Sequence, residues 1–217
     1  MRTLLDNSYA TPLHQRAIAL GIDLVAHSAT KYLNGHSDVV AGVLCGSKAL
    51  IREVFQGPYM TLGAMLSPHD AWLLIRGLRT LPLRMHQIAA TTARVIGFLR
   101  SHAKVERLWY PHDAGDAQFE LSQRQTSGAS GLLSFTVRCD STLAVERFCD
   151  ALQRFLMTVS WGGYESLLFP VAAVYPSDTR VGAERAGQVP VNLVRLSIGL
   201  EEPEVLIADL AQALDRV

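Results

Sequence analysis

The stretch Ile22-Asp23-Leu24-Val25-Ala26-His27-Ser28-Ala29-Thr30-Lys31 places an apolar run directly before a series of polar side chains. Ile22–Ala26 is typical of a buried strand, and the β-branched run Val39–Cys45 predicts a second one. Upstream, Arg2–Leu5 predicts a short strand that ends at the polar turn Asp6-Asn7-Ser8. The first part of the chain therefore predicts an α/β fold in which polar residues follow the strands.

Helical patterns flank and follow these strands. Leu13–Leu20 predicts a short helix that ends at Gly21. Ser67-Pro68 predicts the start of another helix, with serine as the cap and proline in the first turn. Pro82 should kink or interrupt that helix, and Met85–Leu99 predicts a second helical run. We therefore place a domain boundary near Pro82, between residues 1–82 and residues 83–217.

The remainder of the chain alternates strand and helix patterns. Three strands and two helices are predicted: Gly131–Arg138, Met157–Ser160 and Leu193–Ile198 as strands, and Leu143–Leu152 and Pro203–Leu214 as helices. This order predicts a small α+β domain, in which an antiparallel sheet carries helices on one face.

Composition limits the kinds of partner. The chain has 217 residues, 49% of them hydrophobic, and a formal net charge of +0, which gives no electrostatic reason to expect nucleic acid or an anionic membrane. No apolar run approaches the roughly 20 residues that cross a bilayer. Cys45, Cys139 and Cys149 share no metal-type spacing, and the histidines form no closely spaced ligand set. We expect a soluble cytoplasmic protein with reduced thiols, no metal, no nucleic-acid partner and no membrane partner.

Asp6 and the segment His27–Lys31 both follow predicted strands, so both are expected at one edge of the sheet. These residue types suit pyridoxal phosphate (PLP) chemistry. The Lys31 amine can condense with an aldehyde, and a carboxylate such as Asp6 can keep a pyridine nitrogen protonated. Ser28 and Thr30 carry hydroxyl donors for a phosphate.

Other interpretations of this segment stay open on spacing alone. A lysine after a strand is commonly a solvated loop residue, and an aspartate there is commonly a turn former. Ser28-Ala29-Thr30-Lys31 also matches the Ser-x-x-Lys motif of penicillin-binding proteins, but the chain lacks the companion motifs Ser-Asp-Asn and Lys-Thr-Gly.

Two further segments carry candidate binding residues. In Ser160-Trp161-Gly162-Gly163-Tyr164-Glu165-Ser166-Leu167, paired glycines allow a backbone to approach a ligand closely, although a strand-to-turn exit with Trp161 in the core fits equally well. In the strand Leu193–Ile198, Arg195 has no acid at the neighbouring positions of its face. It is a candidate for binding a substrate carboxylate through a bidentate fork, or it is an arginine on a solvated sheet face.

Together these segments resemble the cysteine/methionine metabolism family of PLP enzymes. The resemblance is carried by Asp6-Asn7-Ser8-Tyr9-Ala10-Thr11-Pro12 and by His27 to Val39, with support from Gly77-Leu78-Arg79-Thr80-Leu81, Ser160–Leu167 and Arg195–Glu201. It implies the C-terminal part of a PLP-dependent transferase type I (aspartate aminotransferase-like) fold. Residues 1–82 would be the C-terminal portion of the PLP-binding large α/β domain, and residues 83–217 the small α+β domain.

The resemblance also implies residue roles. Lys31 would be the catalytic, Schiff-base lysine, Asp6 would pair with the pyridine nitrogen, and Ser28 and Thr30 would hold the phosphate. Ser160, Trp161 and Arg195 would form the substrate site, with Arg195 on the α-carboxylate. The substrate would be a small amino-acid thioether, and the protein a homo-oligomer, a dimer of dimers as in the family.

The reaction type implied is carbon–sulfur bond cleavage in trans-sulfuration. The Trp161-Gly162-Gly163-Tyr164 segment is most similar to that of bacterial cystathionine β-lyases, and Val159 replaces a glutamate found in several γ-enzymes. We therefore expect β-elimination of cystathionine to homocysteine, pyruvate and ammonia, with cystathionine γ-synthase or γ-lyase chemistry as the alternative.

The family's usual chain is about twice as long, and its part before Asp6 has no counterpart here. We expect a fragment or one half of a split enzyme. A scaffold without activity is the alternative from a different functional class.

Overall fold

The computed structural model describes residues 1–139, 141–173 and 190–217. The chain forms two compact units, of which the first contains residues 1–86 and 120–130 and the second residues 87–119 and 131–217. The principal division falls a short distance beyond Pro82, and a segment from later in the sequence joins the first unit. The functional division into residues 1–82 and 83–217 stays a prediction.

The first unit contains a three-stranded sheet in the order β1 (Leu4–Asp6), β2 (Leu24–Ser28), β3 (Gly42–Gly46). β1 and β2 are parallel, with Asp6 opposite Ala26, and β3 is antiparallel to β2. The three predicted strands are confirmed, although each ends one or two residues later than its pattern indicates. Because β1 and β2 are parallel, the polar residues at their carboxyl ends share one edge of the sheet.

Short helical segments surround this sheet. They are α1 (Thr11–His14), a 3-10 turn (Ala17–Leu20), α2 (Lys48–Val54), a π-helical turn (Phe55–Tyr59), α3 (Met60–Leu62) and α5 (Phe119–Gln125). The single helix predicted for Leu13–Leu20 is wrong, because extended backbone at Gln15 separates α1 from the 3-10 turn. The predicted stop at Gly21 is confirmed, since Gly21 adopts a left-handed conformation with φ 92°.

The long helix α4 (Pro68–Ser101) runs through Pro82. Its predicted start is confirmed by the Ser67 hydroxyl, which accepts a hydrogen bond from the Asp70 amide at 3.0 Å. The predicted interruption at Pro82 is wrong. Pro82 has no amide hydrogen to donate to the Leu78 carbonyl, yet the helix continues beyond it. One residue earlier, the Gly77 carbonyl accepts hydrogen bonds from the Thr80 hydroxyl and from Arg84 Nη2.

The second unit contains a five-stranded sheet. Its spatial order is β4 (Val105–Trp109), β5 (Leu132–Val137), β8 (Leu193–Ser197), β7 (Leu167–Pro170) and β6 (Leu156–Met157). Neighbouring strands are antiparallel except for the parallel pair of β6 and β7. The predicted antiparallel sheet is therefore confirmed apart from that pair, while β4 and β7 were not predicted and the strand predicted for Met157–Ser160 shares only Met157 with β6.

Helices α6 (Thr142–Ala151) and α7 (Pro203–Leu214) complete the second unit, together with a 3-10 turn (Val171–Ala173). Leu206, Leu210 and Leu214 recur at helical spacing on α7 and are fully buried, which contributes about 1.5–3 kcal/mol for each side chain. Phe135 of β5 and Phe148 of α6 meet edge to face at 6.2 Å between ring centroids. Of the helices in the described parts of the chain, none is both long and apolar enough to cross a membrane.

Candidate active site

The carboxyl ends of β1 and β2 bring the first predicted constellation together. Asp6 lies opposite Ala26, and the Asn7 amide donates to the Ala26 carbonyl at 2.8 Å, which extends the pairing past the end of β1. His27 and Ser28 are the last residues of β2. The structure therefore places Asp6 beside the segment that leads into Lys31, as the strand pattern predicts.

Ser8 holds the Asp6 carboxylate in place. Asp6 Oδ1 accepts hydrogen bonds from the Ser8 amide at 2.9 Å and from the Ser8 hydroxyl at 2.6 Å. These bonds favour the ionised form and lower the pKa of Asp6, against the small opposing effect of burial. Ser8 Oγ also accepts a hydrogen bond from the Ser28 amide at 2.5 Å. The buried Ser8 thus links Asp6 to Ser28, a role that the sequence did not reveal.

His27 lies against the same carboxylate. It is buried, and burial lowers the pKa of its imidazole even though the charge of Asp6 and a hydrogen bond with the Asn7 backbone act in the opposite direction. Its Nδ1 atom has no hydrogen-bond partner among the described residues. A neutral imidazole is therefore favoured beside the ionised Asp6.

The residues around Lys31 form a compact turn, residues 28–35, which we call the lysine turn. The Lys31 amide donates to the Ser28 carbonyl at 3.1 Å, and the Lys31 carbonyl accepts from the Gly35 amide at 2.8 Å. The Asn34 amide donates to the Ala29 carbonyl at 3.0 Å. The Lys31 side chain is half-buried, so its amine starts from a backbone that is fixed on both sides.

The two predicted phosphate ligands differ in their surroundings. Thr30 Oγ1 accepts from the Ala41 amide at 3.0 Å and lies 3.3 Å from the Ala41 carbonyl, so its hydroxyl is already bonded to the backbone. The Ser28 hydroxyl makes no hydrogen bond with any residue that the structure describes. Of the two, Ser28 therefore has the hydroxyl that is ready to donate to a phosphate.

The arrangement fits pyridoxal phosphate. Asp6 is exposed and ionised, and its second oxygen, Oδ2, accepts no hydrogen bond within the described ranges. That oxygen is thus available to a protonated ring nitrogen, while Ser28 presents an unused donor and Lys31 an amine. The same short segment of structure supplies the acceptor, the donor and the nucleophile that such a cofactor requires.

The second unit places Arg195 in the middle of its sheet. Arg195 Nη2 donates to the Val159 carbonyl and, at 3.4 Å, to the Ser160 carbonyl, and the guanidinium lies over the Phe169 ring at 5.2 Å. Burial lowers its pKa, yet an arginine stays charged at neutral pH. No carboxylate among the described residues forms a salt bridge with it. Nε and Nη1 are thus left to bind a ligand.

The Ser160–Ser166 turn is fastened to the end of β8. The Gly162 amide donates to Ser197 Oγ at 3.2 Å, and Gly162 has φ 79°, a conformation that favours glycine. The Leu200 amide donates to the Tyr164 carbonyl at 2.8 Å. A side chain on Gly199 would lie 2.3 Å from that same carbonyl oxygen, so only glycine fits there.

Glu201 completes this attachment. Its carboxylate accepts from the Ser166 amide at 2.8 Å and from the Ser166 hydroxyl at 2.7 Å. Ser166 Oγ in turn accepts from the Gly199 amide at 2.8 Å. The Ser160–Ser166 turn is therefore fixed beside Arg195 within one unit, by contacts of Ser197 and Glu201 that the sequence did not predict. Asp6, Ser28, Thr30 and Lys31 belong to the other unit.

Comparisons with known proteins identify the family. Residues 1–215 match the model of a family described as Cys/Met metabolism PLP-dependent enzyme. L-methionine gamma-lyase of Pseudomonas putida is 43% identical over 213 residues, which are 97% of this chain and 53% of that protein. Cystathionine beta-lyase of Lactococcus lactis is 40% identical over 218 residues, 99% of this chain and 56% of that protein. A crystal structure of cystathionine gamma-lyase from Lactobacillus plantarum complexed with L-serine has a TM-score of 0.88 at 31% identity and covers 100% of this chain and 56% of that chain.

These matches confirm the predicted family and the predicted fold, the C-terminal part of a larger PLP-enzyme fold. The chain spans about half the length of the curated relatives it matches. Those relatives carry the names of different activities at similar identity, so the matches do not select one reaction. The roles of the individual site residues stay predictions. The chain belongs to the family of Cys/Met metabolism PLP-dependent enzymes.

Proposed function

We propose that this chain is part of a PLP-dependent carbon–sulfur lyase that cleaves cystathionine by β-elimination to homocysteine, pyruvate and ammonia. The observation that carries the proposal is the joint arrangement at the ends of β1 and β2. There Ser8 links the ionised Asp6 to the Ser28 amide, and the Lys31 amide donates to the Ser28 carbonyl, while the Ser28 hydroxyl is left available. The relatives with the same chemistry support it.

When bound, pyridoxal phosphate supplies a ring that stabilises negative charge at the substrate α-carbon. Asp6 would hold the ring nitrogen protonated through its Oδ2 oxygen, and its low pKa keeps it ionised for that task. Ser28, with Thr30, would bind the phosphate. Lys31 would carry the cofactor and then accept the α-proton on Nζ, while the Cβ–S bond breaks and its electron pair leaves with the sulfur.

Arg195 would bind the substrate α-carboxylate with the guanidinium nitrogens that the protein leaves unbonded. The Phe169 ring and the Val159 and Ser160 carbonyls fix the guanidinium plane, so less conformational freedom is lost when the substrate binds. Ser160 and Trp161 would complete the substrate site on the turn that ends at Ser166. We further propose a cytoplasmic homotetramer, a dimer of dimers, as in the family.

Two alternatives follow from specific observations. The L-methionine gamma-lyase relative is as similar as the beta-lyase relative, which keeps γ-elimination or γ-replacement as the second candidate. The chain also spans about half of these relatives, which keeps an inactive scaffold or one half of a split enzyme as the third.

Keto-acid analysis separates these functions. The full protein that carries this sequence is incubated with pyridoxal phosphate and L-cystathionine, and the products are separated by chromatography. We expect pyruvate and homocysteine in equal amounts; 2-oxobutyrate and cysteine would instead identify γ-elimination. Release of neither keto acid would contradict both lyase functions. Lys31→Ala should abolish product formation, whereas Lys48→Ala, which alters an exposed lysine of α2, should not.

A further inference from the structure

Arg84 is a buried arginine that forms no salt bridge with an acid in the described parts of the chain. Its side chain lies on α4 and is 6% exposed, and this burial lowers the pKa of the guanidinium. A buried charge without a counter-ion is costly unless its donors are all hydrogen-bonded. The position of Arg84 therefore depends on what its nitrogen atoms contact.

All three guanidinium nitrogens have a partner. Nη2 donates to the Gly77 carbonyl at 2.9 Å, and Nε donates to the Thr80 hydroxyl at 3.0 Å. These two bonds lie within α4 and fix the plane of the guanidinium. Nη1 reaches a different part of the unit and donates to the Tyr32 carbonyl at 2.9 Å. Arg84 thus connects α4 to the residue that directly follows Lys31.

Two glycines leave the space for this connection. Gly35, with φ 71°, has no room for a side chain, because a Cβ atom there would lie 2.0 Å from Arg84 Nη1. Gly77 on α4 faces the same turn, because its Cβ would lie 2.3 Å from the Asn34 carbonyl oxygen. The Arg84 side chain therefore contacts the lysine turn at Tyr32 and Gly35, and the helix backbone at Gly77 lies against the backbone of Asn34.

The lysine turn transmits this contact to Lys31. Tyr32 is fully buried, and the amide of Gly35 is bonded to the Lys31 carbonyl. A shift of the Tyr32 carbonyl or of Gly35 would therefore be passed to the peptide group that follows Lys31. The contacts of Arg84 and Gly77 act on the backbone of the lysine turn and do not require contact with the Lys31 amine.

We infer that Arg84 is a positioning residue, which holds the backbone of the lysine turn so that the Lys31 side chain starts from one fixed direction. The inference rests on the proposed function of Lys31. Gly35 and Gly77 contribute to the same contact, because the absence of a side chain at each lets the Arg84 guanidinium and α4 reach the lysine turn.

The experiment is hydrogen–deuterium exchange in the cofactor-free full protein, measured on peptides that cover residues 29–35. Arg84→Met removes the three donors and keeps an apolar stem of similar length. We expect the amides of Asn34 and Gly35 to exchange roughly tenfold faster, as the loss of a buried hydrogen bond predicts, while β2 is unchanged. Arg79→Met, which alters an exposed arginine of the same helix, should leave both amides at the native rate.

A second variant and a second measurement separate positioning from general stability. Arg84→Lys keeps the charge but cannot make all three bonds, so its exchange at Asn34 and Gly35 should be intermediate. With pyridoxal phosphate added, the pH midpoint for borohydride-fixed labelling of Lys31 should move in Arg84→Met and return towards the native value in Arg84→Lys. A variant that is only less stable has fewer folded molecules, but the midpoint of Lys31 labelling in those folded molecules should equal the native midpoint.

Native exchange at Asn34 and Gly35 in both Arg84 variants would overturn the inference, as would an equal increase across all three strands of the first unit. If native Lys31 is not labelled at all, the proposed function fails. The exchange result still decides whether Arg84 holds the turn.

Discussion

The surroundings of Arg84 and of Arg195 differ in how many guanidinium nitrogens are bonded to the protein itself. Both arginines donate to backbone carbonyls, and neither has a carboxylate partner among the described residues. Arg84 is buried and all three of its nitrogens are bonded to the protein. Arg195 is half-buried, stacks on Phe169 and uses only Nη2. The number of unused donors therefore indicates which arginine is available to a substrate.

The largest effect is expected at Arg195. Arg195→Met should raise the KM for an amino-acid substrate roughly a hundredfold, because a charge-assisted bidentate contact with the carboxylate is lost. The measurement is steady-state kinetics with L-cystathionine. Arg107→Met is the matched control, since Arg107 also lies over an aromatic ring, Trp109, at 4.6 Å in the same unit. Equal KM values for the native protein and Arg195→Met would remove Arg195 from the substrate site.

Alanine substitutions at two glycines of α4 test whether this helix packs closely against the lysine turn that Arg84 contacts. Gly77→Ala should destabilise the protein by about 3 kcal/mol, because the new methyl group would collide with the Asn34 backbone. Gly97→Ala, whose Cβ meets nothing within 4 Å, should stabilise it by up to about 1 kcal/mol. Urea unfolding measures both. Similar changes in the two variants would show that α4 does not press against the lysine turn.

A smaller effect is expected at Ser8. Ser8→Ala removes the hydroxyl bond to Asp6 Oδ1, so the pKa of Asp6 should rise towards its ordinary value. Ser8→Thr retains a hydroxyl and should keep the pKa low. The measurement is a carbon-13 NMR titration of the labelled Asp6 carboxyl group. An unchanged pKa in Ser8→Ala would mean that the Ser8 amide alone stabilises the carboxylate.

The smallest effect concerns the pH dependence contributed by His27. Because the folded pKa of His27 is lowered, the unfolded chain takes up a proton on this imidazole at a higher pH than the folded chain does. Stability from this group is therefore fully present above about pH 6.5 and is lost as the pH falls through the folded pKa. His27→Gln should flatten this decline in urea unfolding measured between pH 7.5 and 5. The same measurement on His112→Gln shows how much of the decline comes from His112, because burial lowers the pKa of that imidazole as well. If the free energy of unfolding of His27→Gln falls between pH 7.5 and 5 as steeply as that of the native protein, His27 is not the source of the decline.

The sequence predicted the features that depend on local pattern. Apolar runs located β1 and β2, and the polar residues after them located Asp6 and the lysine turn, because parallel strands end at one edge. It missed β4, where Glu106 and Arg107 stand side by side and break the alternation. It also missed β7, which is four residues long and ends in Pro170.

Pro82 does not end α4, and Arg84, whose role the sequence did not reveal, lies two residues further along the same helix. Proline predicts a break in a helix, and arginine predicts an exposed side chain. In the fold, Arg84 is buried and donates to the carbonyls of Gly77, on its own helix, and of Tyr32, in a turn that is distant in sequence. Such contacts depend on tertiary packing, and neither residue type nor spacing reveals them. Ser8 was missed for the same reason, because its partners become neighbours only when β1 and β2 pair.

The most direct test of the central claim is to map where pyridoxal phosphate attaches. Within this chain the candidates are Lys31, Lys48 and Lys104, and borohydride reduction followed by peptide mass spectrometry distinguishes them. We predict that the full protein carries the fixed pyridoxyl label on the peptide containing Lys31, and that Lys31→Ala loses it. Equal labelling of Lys48 and Lys104, or no change in Lys31→Ala, would contradict the assignment of Lys31 as the cofactor-binding lysine.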